Sequence, residues 1–260
     1  MHGLDVASNE DARLSMDMDF ELIVTRLDVG PDAVHAAAAL LSADERRKAG
    51  RFVFERDRRR FTVARATLRE LLASRLGTPP ELVELAHGAR GKPALAPTFS
   101  HDDLRFNLSH CEDVAVYALS RGHEVGVDVE AVRVMPDGDD IAARFFSARE
   151  RDAYRGLDAH DKPLAFFNCW TRKEAFVKAL GHGLYHPLDS FDVSLMPGEP
   201  GRIIRVGETD GEHCGWQLCS FVPCSGFVGA VVIERPKRLT DFPVAGRRRI
   251  HSRREWTIRS

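Results

Sequence analysis

The chain contains no apolar run approaching the ~18 residues of a membrane span. Its opening stretch, MHGLDVASNEDARLSMDMDF, lacks the basic and apolar regions of a signal peptide. No membrane partner is therefore expected, and a cytoplasmic location is. Cysteine is scarce: there are five, an odd number with no CxxC pair. That argues against a disulfide framework and for reduced thiols. Cys214, Cys219 and Cys224 beside His213 come nearest to metal spacing, but their uneven faces and Pro223 argue against zinc. An excess of either charge is also lacking. Lys and Arg total 37 against 39 Asp and Glu, a net −2, and no basic-aromatic platform is visible, so nucleic acid is not the expected partner. The charge is nonetheless uneven: residues 235–260 carry +7, which leaves −9 for the rest.

What the chain does have is ordinary globular composition, 43% hydrophobic and 29% charged over 260 residues. This length suits one large domain or two halves. Residues 1–19 read as a loose leader and 20–29 as a first strand. Ser42 to Glu45 has the form of a capping box that opens a basic helix. A longer amphipathic helix through Phe61, Leu68 and Leu72 ends at Gly77. The runs 114–120 and 123–130 predict a hairpin around Arg121 and Gly122. The Pro/Gly/Asp-rich stretch from Val134 marks a division into an N-terminal half, 20–133, and a C-terminal half, 134–234, followed by a basic tail, 235–260. A second capping box at Ser147 and Glu150 precedes a short helix. Asp161-Lys-Pro163 then opens the most apolar helix, which runs to about Leu180, and four short strands close the chain. Helices followed by meandering strands, twice over, predict an α+β fold with small antiparallel sheets.

Two segments carry chemistry. In Val125-Gly-Val-Asp-Val-Glu130, strand alternation places Gly126, Asp128 and Glu130 on one face and three valines on the other. Two carboxylates at that spacing repel unless a cation stands between them, and Mg²⁺ with oxygen ligands meets that need. A solvated outer face is the competing reading. In Trp170-Thr-Arg-Lys-Glu-Ala-Phe-Val-Lys178, helical spacing puts Trp170, Glu174 and Lys178 on one stripe. The bland reading is a surface ion pair. If this helix crosses the 123–130 strand, Glu174 becomes a third carboxylate for the same cation, with Lys178 placed for a phosphate. Asn107-Leu-Ser-His110 and Gly91-Lys-Pro93 are weak motifs taken alone.

In order, RGKPAL, NLSH, GVDVE, FFSARE, WTRKEAFVKALGHGL and HPLDSFDV resemble the signatures of the 4′-phosphopantetheinyl transferases, within them the larger surfactin-synthetase-activating (Sfp-like) type. The resemblance covers roughly residues 43–195. It implies a monomeric pseudo-dimer of two similar α+β halves with the site in the cleft between them. It also implies transfer of the 4′-phosphopantetheine arm of coenzyme A to a serine of an apo acyl, aryl or peptidyl carrier protein, with Mg²⁺ (or Mn²⁺) and release of adenosine 3′,5′-bisphosphate. By matching motifs, Asp128, Glu130 and Glu174 resemble the metal ligands. Glu174 resembles the base for the incoming serine, and Lys178 the cation on the leaving bisphosphate. Ser109 and His110 match phosphate-contacting positions, and Lys92 with Pro93 match the loop against the nucleotide. Lys48 fits the second of two lysines that grip the ribose 3′-phosphate. The first falls on Glu45, so Arg46, Arg47 or Arg60 is expected to compensate. Glu150 reads as a helix cap rather than a ligand, and Trp170 as core. Phe145 and Phe146, with Arg149, Arg151 and Arg155, are the expected carrier dock. A non-catalytic coenzyme A-binding protein and a metal-dependent phosphodiesterase remain the alternatives.

Overall fold

A computed structural model describes residues 20–87, 92–181, 186–211 and 214–235. The expected leader and almost all of the basic tail lie outside these residues. The first strand is β1 (Phe20–Arg26), followed by three helices, α1 (Pro31–Leu40), α2 (Ala43–Ala49) and α3 (Glu55–Leu76). Next come β2 (Leu85–His87), β3 (Pro93–Leu95), β4 (Leu104–Cys111), β5 (Val114–Arg121) and β6 (Val125–Ala131). Then follow α4 (Gly138–Phe145), α5 (Ala148–Arg155) and α6 (Lys162–Leu180). The chain finishes with β7 (Phe191–Val193), β8 (Ile203–Val206), β9 (Thr209–Asp210), β10 (Trp216–Phe221) and β11 (Phe227–Glu234).

Both expected capping boxes are present. Ser42 caps α2 and Ser147 caps α5, each with reciprocal bonds to a glutamate three residues on. Gly77 and Gly181 end α3 and α6 in the left-handed region, at φ 65° and 67°, where a Cβ is disfavoured. Helix α1 was not anticipated, because its alanine-rich sequence shows no sharp apolar stripe and buries no residue fully.

The sheets are antiparallel and small, as expected for an α+β chain. One runs β1-β5-β4, another β10-β11-β6, with the pair β2-β3 and a third three-stranded sheet, β7-β8-β9, besides. The predicted 114–120/123–130 hairpin is not formed. β5 instead pairs in a hairpin with β4, and β6 joins β11 in the other sheet. The turn that closes β4 to β5 uses Glu112 at φ 51°, a residue type that signals no turn, whereas Gly122 at φ 74° sits in a bend that carries the chain across to the second sheet. Such a handover is invisible to a reading based on local turn chemistry.

The two sheets face each other. Val114, Val116 and Ala118 of β5 meet Val125, Val127 and Val129 of β6 in one core cluster. On the far side of the first sheet, Ala115, Tyr117 and Leu119 pack beneath Leu68 and Leu72 of α3. On the far side of the second, Ala230 and Val232 pack beneath Ala175, Phe176 and Ala179 of α6. The order is helix, sheet, sheet, helix, and each interface is fixed by the alternation of its strands.

Candidate functional site

Helix α6 lies directly across β6 because Gly126 leaves room for it. A Cβ built there would stand 2.2 Å from the Ala175 carbonyl oxygen and 2.3 Å from the Ala179 nitrogen, far inside contact distance. The face of β6 that carries Gly126, Asp128 and Glu130 is therefore turned toward α6. Asp128 is only 4% exposed, which excludes the reading of that face as solvated.

Five of the sequence-derived candidates meet here. The Lys178 ammonium donates to Asp128 Oδ1 at 2.6 Å, to the Ser109 hydroxyl at 3.1 Å and to the Val127 carbonyl at 3.3 Å. Ser109 donates to the same Oδ1 at 2.8 Å. The other oxygen, Asp128 Oδ2, is buried without a hydrogen-bond partner, which is costly unless a ligand supplies one. Glu130 and Glu174 stand near enough for their charges to interact with Asp128. Burial first, then Asp128, pushes the Glu130 carboxyl up. Burial likewise pushes Glu174 up, with Asp128 and Glu130 adding to the shift and Lys178 opposing it. Among the described residues no three His, Cys, Asp or Glu side chains are gathered tightly enough to hold an ion as they stand. The chemistry of the donor set still fits a hard divalent cation: carboxylates alone, one with an orphaned buried oxygen.

Strand β4 is stitched to the free edge of β6 by its odd-numbered side chains. Asn107 Oδ1 accepts the Val127 N–H at 2.9 Å, Ser109 bonds Asp128, and Cys111 Sγ accepts the Ala131 N–H at 3.4 Å while donating to Glu130 at 3.3 Å. Asn107 and Cys111 were missed as positioning residues. Their signal was the i, i+2, i+4 spacing Asn-Ser-Cys, which puts three polar groups on one strand face.

His110 points to the opposite face of β4, toward α3. Its imidazole is pushed down by desolvation and then by the cations Lys178, Arg60 and Arg65. Arg60 is already engaged, at 2.8 Å from Asp113 and 3.8 Å from Asp57. Lys48 lies over the Phe61 ring at 5.3 Å and helps to line a hollow of about 490 Å³ with Asp44, Arg47, Arg51 and Phe52. Lys92 is tied to Glu124 at 3.2 Å and to the Val125 carbonyl at 3.1 Å. With Pro93 it borders a cleft of about 610 Å³ that reaches Gly181 at the end of α6.

Glu150 is a structural residue, as the capping pattern implies. It is buried, accepts the Ser147 and Val193 N–H groups at 2.8 and 2.7 Å, and pairs with fully buried Lys173 at 2.7 Å. Trp170 is half-buried, stacked on Phe166 and edge-on to Phe145. Of the expected docking residues, Phe146 is fully buried in the core and does not belong to a surface. Phe145 is half-buried, and Arg149 and Arg155 are exposed.

A family model described as the 4′-phosphopantetheinyl transferase superfamily matches residues 124–232, and one described as the N-terminal part of a 4′-phosphopantetheinyl transferase matches 30–121. A 4′-phosphopantetheinyl transferase of Nostoc, HetI, is 37% identical over 207 residues, which cover 80% of this chain and 84% of that one. The chain belongs to the 4′-phosphopantetheinyl transferase family. This transferase is also 34% identical over 182 residues to a putative 4′-phosphopantetheinyl transferase of Synechocystis, covering 70% of this chain and 72% of the relative. The Bacillus subtilis 4′-phosphopantetheinyl transferase is 32% identical over 185 residues, covering 67% and 80%. The two family models meet at residues 121–124, the bend where the chain passes from the first sheet to the second.

Proposed function

We propose that this transferase holds the pyrophosphate of coenzyme A between β4, β6 and α6, and passes the 4′-phosphopantetheine arm to the serine of an apo acyl or peptidyl carrier protein. The observation that supports the reading is the convergence of Lys178 and Ser109 on one oxygen of Asp128 while its other oxygen is left buried and unpartnered. Asp128, Glu130 and Glu174 are the side chains that would hold Mg²⁺, or Mn²⁺ in its place. Bound there, the ion would neutralise charge on the pyrophosphate as its bond breaks.

The chain's own groups do the rest. Glu174 takes the proton of the incoming serine hydroxyl, and its raised proton affinity favours that step. Lys178 faces the leaving adenosine 3′,5′-bisphosphate, Ser109 and His110 meet its phosphates, and Lys92 and Pro93 flank the nucleotide. Lys48 reaches the ribose 3′-phosphate. We take the protein to be the larger, Sfp-like type: a monomer whose two halves, each a three-stranded sheet backed by a long helix, form a pseudo-dimer around the cleft. A binder without activity has no use for three mutually repelling carboxylates, and the net −9 of residues 1–234 with no basic-aromatic platform argues against a phosphodiesterase acting on nucleic acid.

The test is intact-mass analysis of apo carrier proteins after incubation with coenzyme A and Mg²⁺. One phosphopantetheine should be added per carrier, and none with chelator until Mg²⁺ or Mn²⁺ is restored. Full transfer by Asp128→Ala would sink the assignment of the site.

A further inference from the structure

Glu45 stands where the resemblance led to the first of two phosphate-binding lysines, and the structure shows what it does instead. Its Oε2 accepts the Ser42 N–H at 2.8 Å and the Arg69 guanidinium at 2.6 Å. Arg69 is itself buried and saturated by the carbonyls of Pro80 and Val83, both at 2.9 Å. Glu45 is thus consumed in capping α2 and fastening it to α3. The compensating arginines suggested by the sequence are occupied as well. Arg46 donates to the Leu41 carbonyl at 2.6 Å, Arg47 pairs with Asp44 on the surface, and Arg60 is held by Asp113 and Asp57.

Arg65 is the exception. It follows Phe61 by four residues on α3, and its guanidinium stands 5.7 Å from the centre of the same Phe61 ring that carries the Lys48 ammonium. Among the described residues the Lys48 ammonium has no hydrogen bond or ion pair, and the only ion pair of Arg65 is a long one, 3.5 Å to Glu45 Oε1. Arg65 is nearly buried, with 11% of its side chain exposed. Two cations beside one aromatic ring, one of them poorly neutralised in a low-dielectric setting, make a site for an anion.

We propose that Arg65, paired with Lys48 across Phe61, binds the ribose 3′-phosphate of coenzyme A and sets the preference for the phosphorylated nucleotide. This rests on the coenzyme A reading above. The position of Arg65 agrees with its field, which reaches His110 on β4, and with desolvation, which lowers the hold of its guanidinium on its proton. A planar guanidinium supplies two parallel donors to a phosphate where a lysine supplies one point charge. The sequence masks this, since Arg65 lies four residues before Arg69 in a helix crowded with arginines.

The experiment compares coenzyme A with dephospho-coenzyme A as substrates, and adenosine 3′,5′-bisphosphate with adenosine 5′-monophosphate as ligands by calorimetry. Wild type should favour the 3′-phosphorylated member of each pair by at least tenfold. Arg65→Gln should cut that preference at least tenfold, and Arg65→Lys should restore part of it. Because Arg65 is nearly buried, the wild-type protein is also treated with phenylglyoxal and mapped by peptide mass spectrometry. Adenosine 3′,5′-bisphosphate should shield Arg65, and the monophosphate should not. An unchanged preference in Arg65→Gln, equal labelling of Arg65 with and without the bisphosphate, or collapse of the preference in Arg60→Gln alone overturns the proposal while leaving the transferase reading intact. Absence of transfer together with absence of nucleotide binding overturns both.

Discussion

Lys178 and Asp128 form a 2.6 Å ion pair that joins the last turn of α6 to the middle of β6, with Ser109 of β4 sharing the same carboxylate oxygen. Three bonds among these side chains thereby lock three elements whose partners are 19 to 69 residues apart in sequence. Within the pair Asp128 is nearly inaccessible and Lys178 is partly open.

Lys178→Met should remove three charge-assisted bonds, to Asp128, Ser109 and the Val127 carbonyl, and leave Asp128 with the Ser109 hydroxyl alone. The expected stability loss is about 1.5–3 kcal/mol, read by denaturant unfolding, together with a fall in transfer rate of roughly two to three powers of ten. If the rate drops no more than twofold, Lys178 is only a strut between α6 and β6.

Gly126→Ala tests the approach of α6 to β6. The added methyl meets backbone atoms at 2.2 and 2.3 Å, and backbone cannot rotate away as a side chain can. Overpacking of about 1–3 kcal/mol or more is expected, with loss of activity because Glu174 and Lys178 move off β6. A variant with wild-type melting temperature and activity would contradict this geometry.

Glu150→Ala separates a structural carboxylate from a ligand. Fully buried Lys173 would lose its partner, and an uncompensated buried charge costs about 3–5 kcal/mol. The variant should melt far earlier, while the fraction that remains folded keeps its affinity for coenzyme A. A stable but inactive protein would instead make Glu150 part of the site.

His110 should link ligand binding to pH. Desolvation and the cations Lys178, Arg60 and Arg65 hold its imidazole below the ordinary histidine value. The ligand-free fold therefore prefers neutral His110 and loses stability as pH falls through the ordinary value, about 6.5. An anionic phosphate beside the ring reverses the preference. Binding of adenosine 3′,5′-bisphosphate should thus take up a proton and tighten as pH drops from about 7 toward 6. Calorimetry in buffers of different ionisation enthalpy checks this, and the effect should vanish in His110→Gln. Proton release on binding would show that His110 does not face a phosphate.

Local patterns alone determined a good part of this protein. The capping boxes at Ser42 and Ser147, the helix from Lys162 to Leu180 and the shared face of Gly126, Asp128 and Glu130 all follow from spacing and backbone preference, because such signals act within a few residues. The family was legible too, since the motifs keep their order along the chain. Tertiary structure decided what each of those residues faces. It sent β6 into the sheet of β11 instead of folding it back on β5, a choice made by the burial of Val125, Val127 and Val129 between two sheets and not by the turn at Gly122. It also tied Glu45 to a buried arginine 24 residues away and set Arg65 and Lys48 over one ring. Charges that look equivalent in a helix rich in arginine differ only in which partners reach them, and those partners come from distant segments brought together by packing.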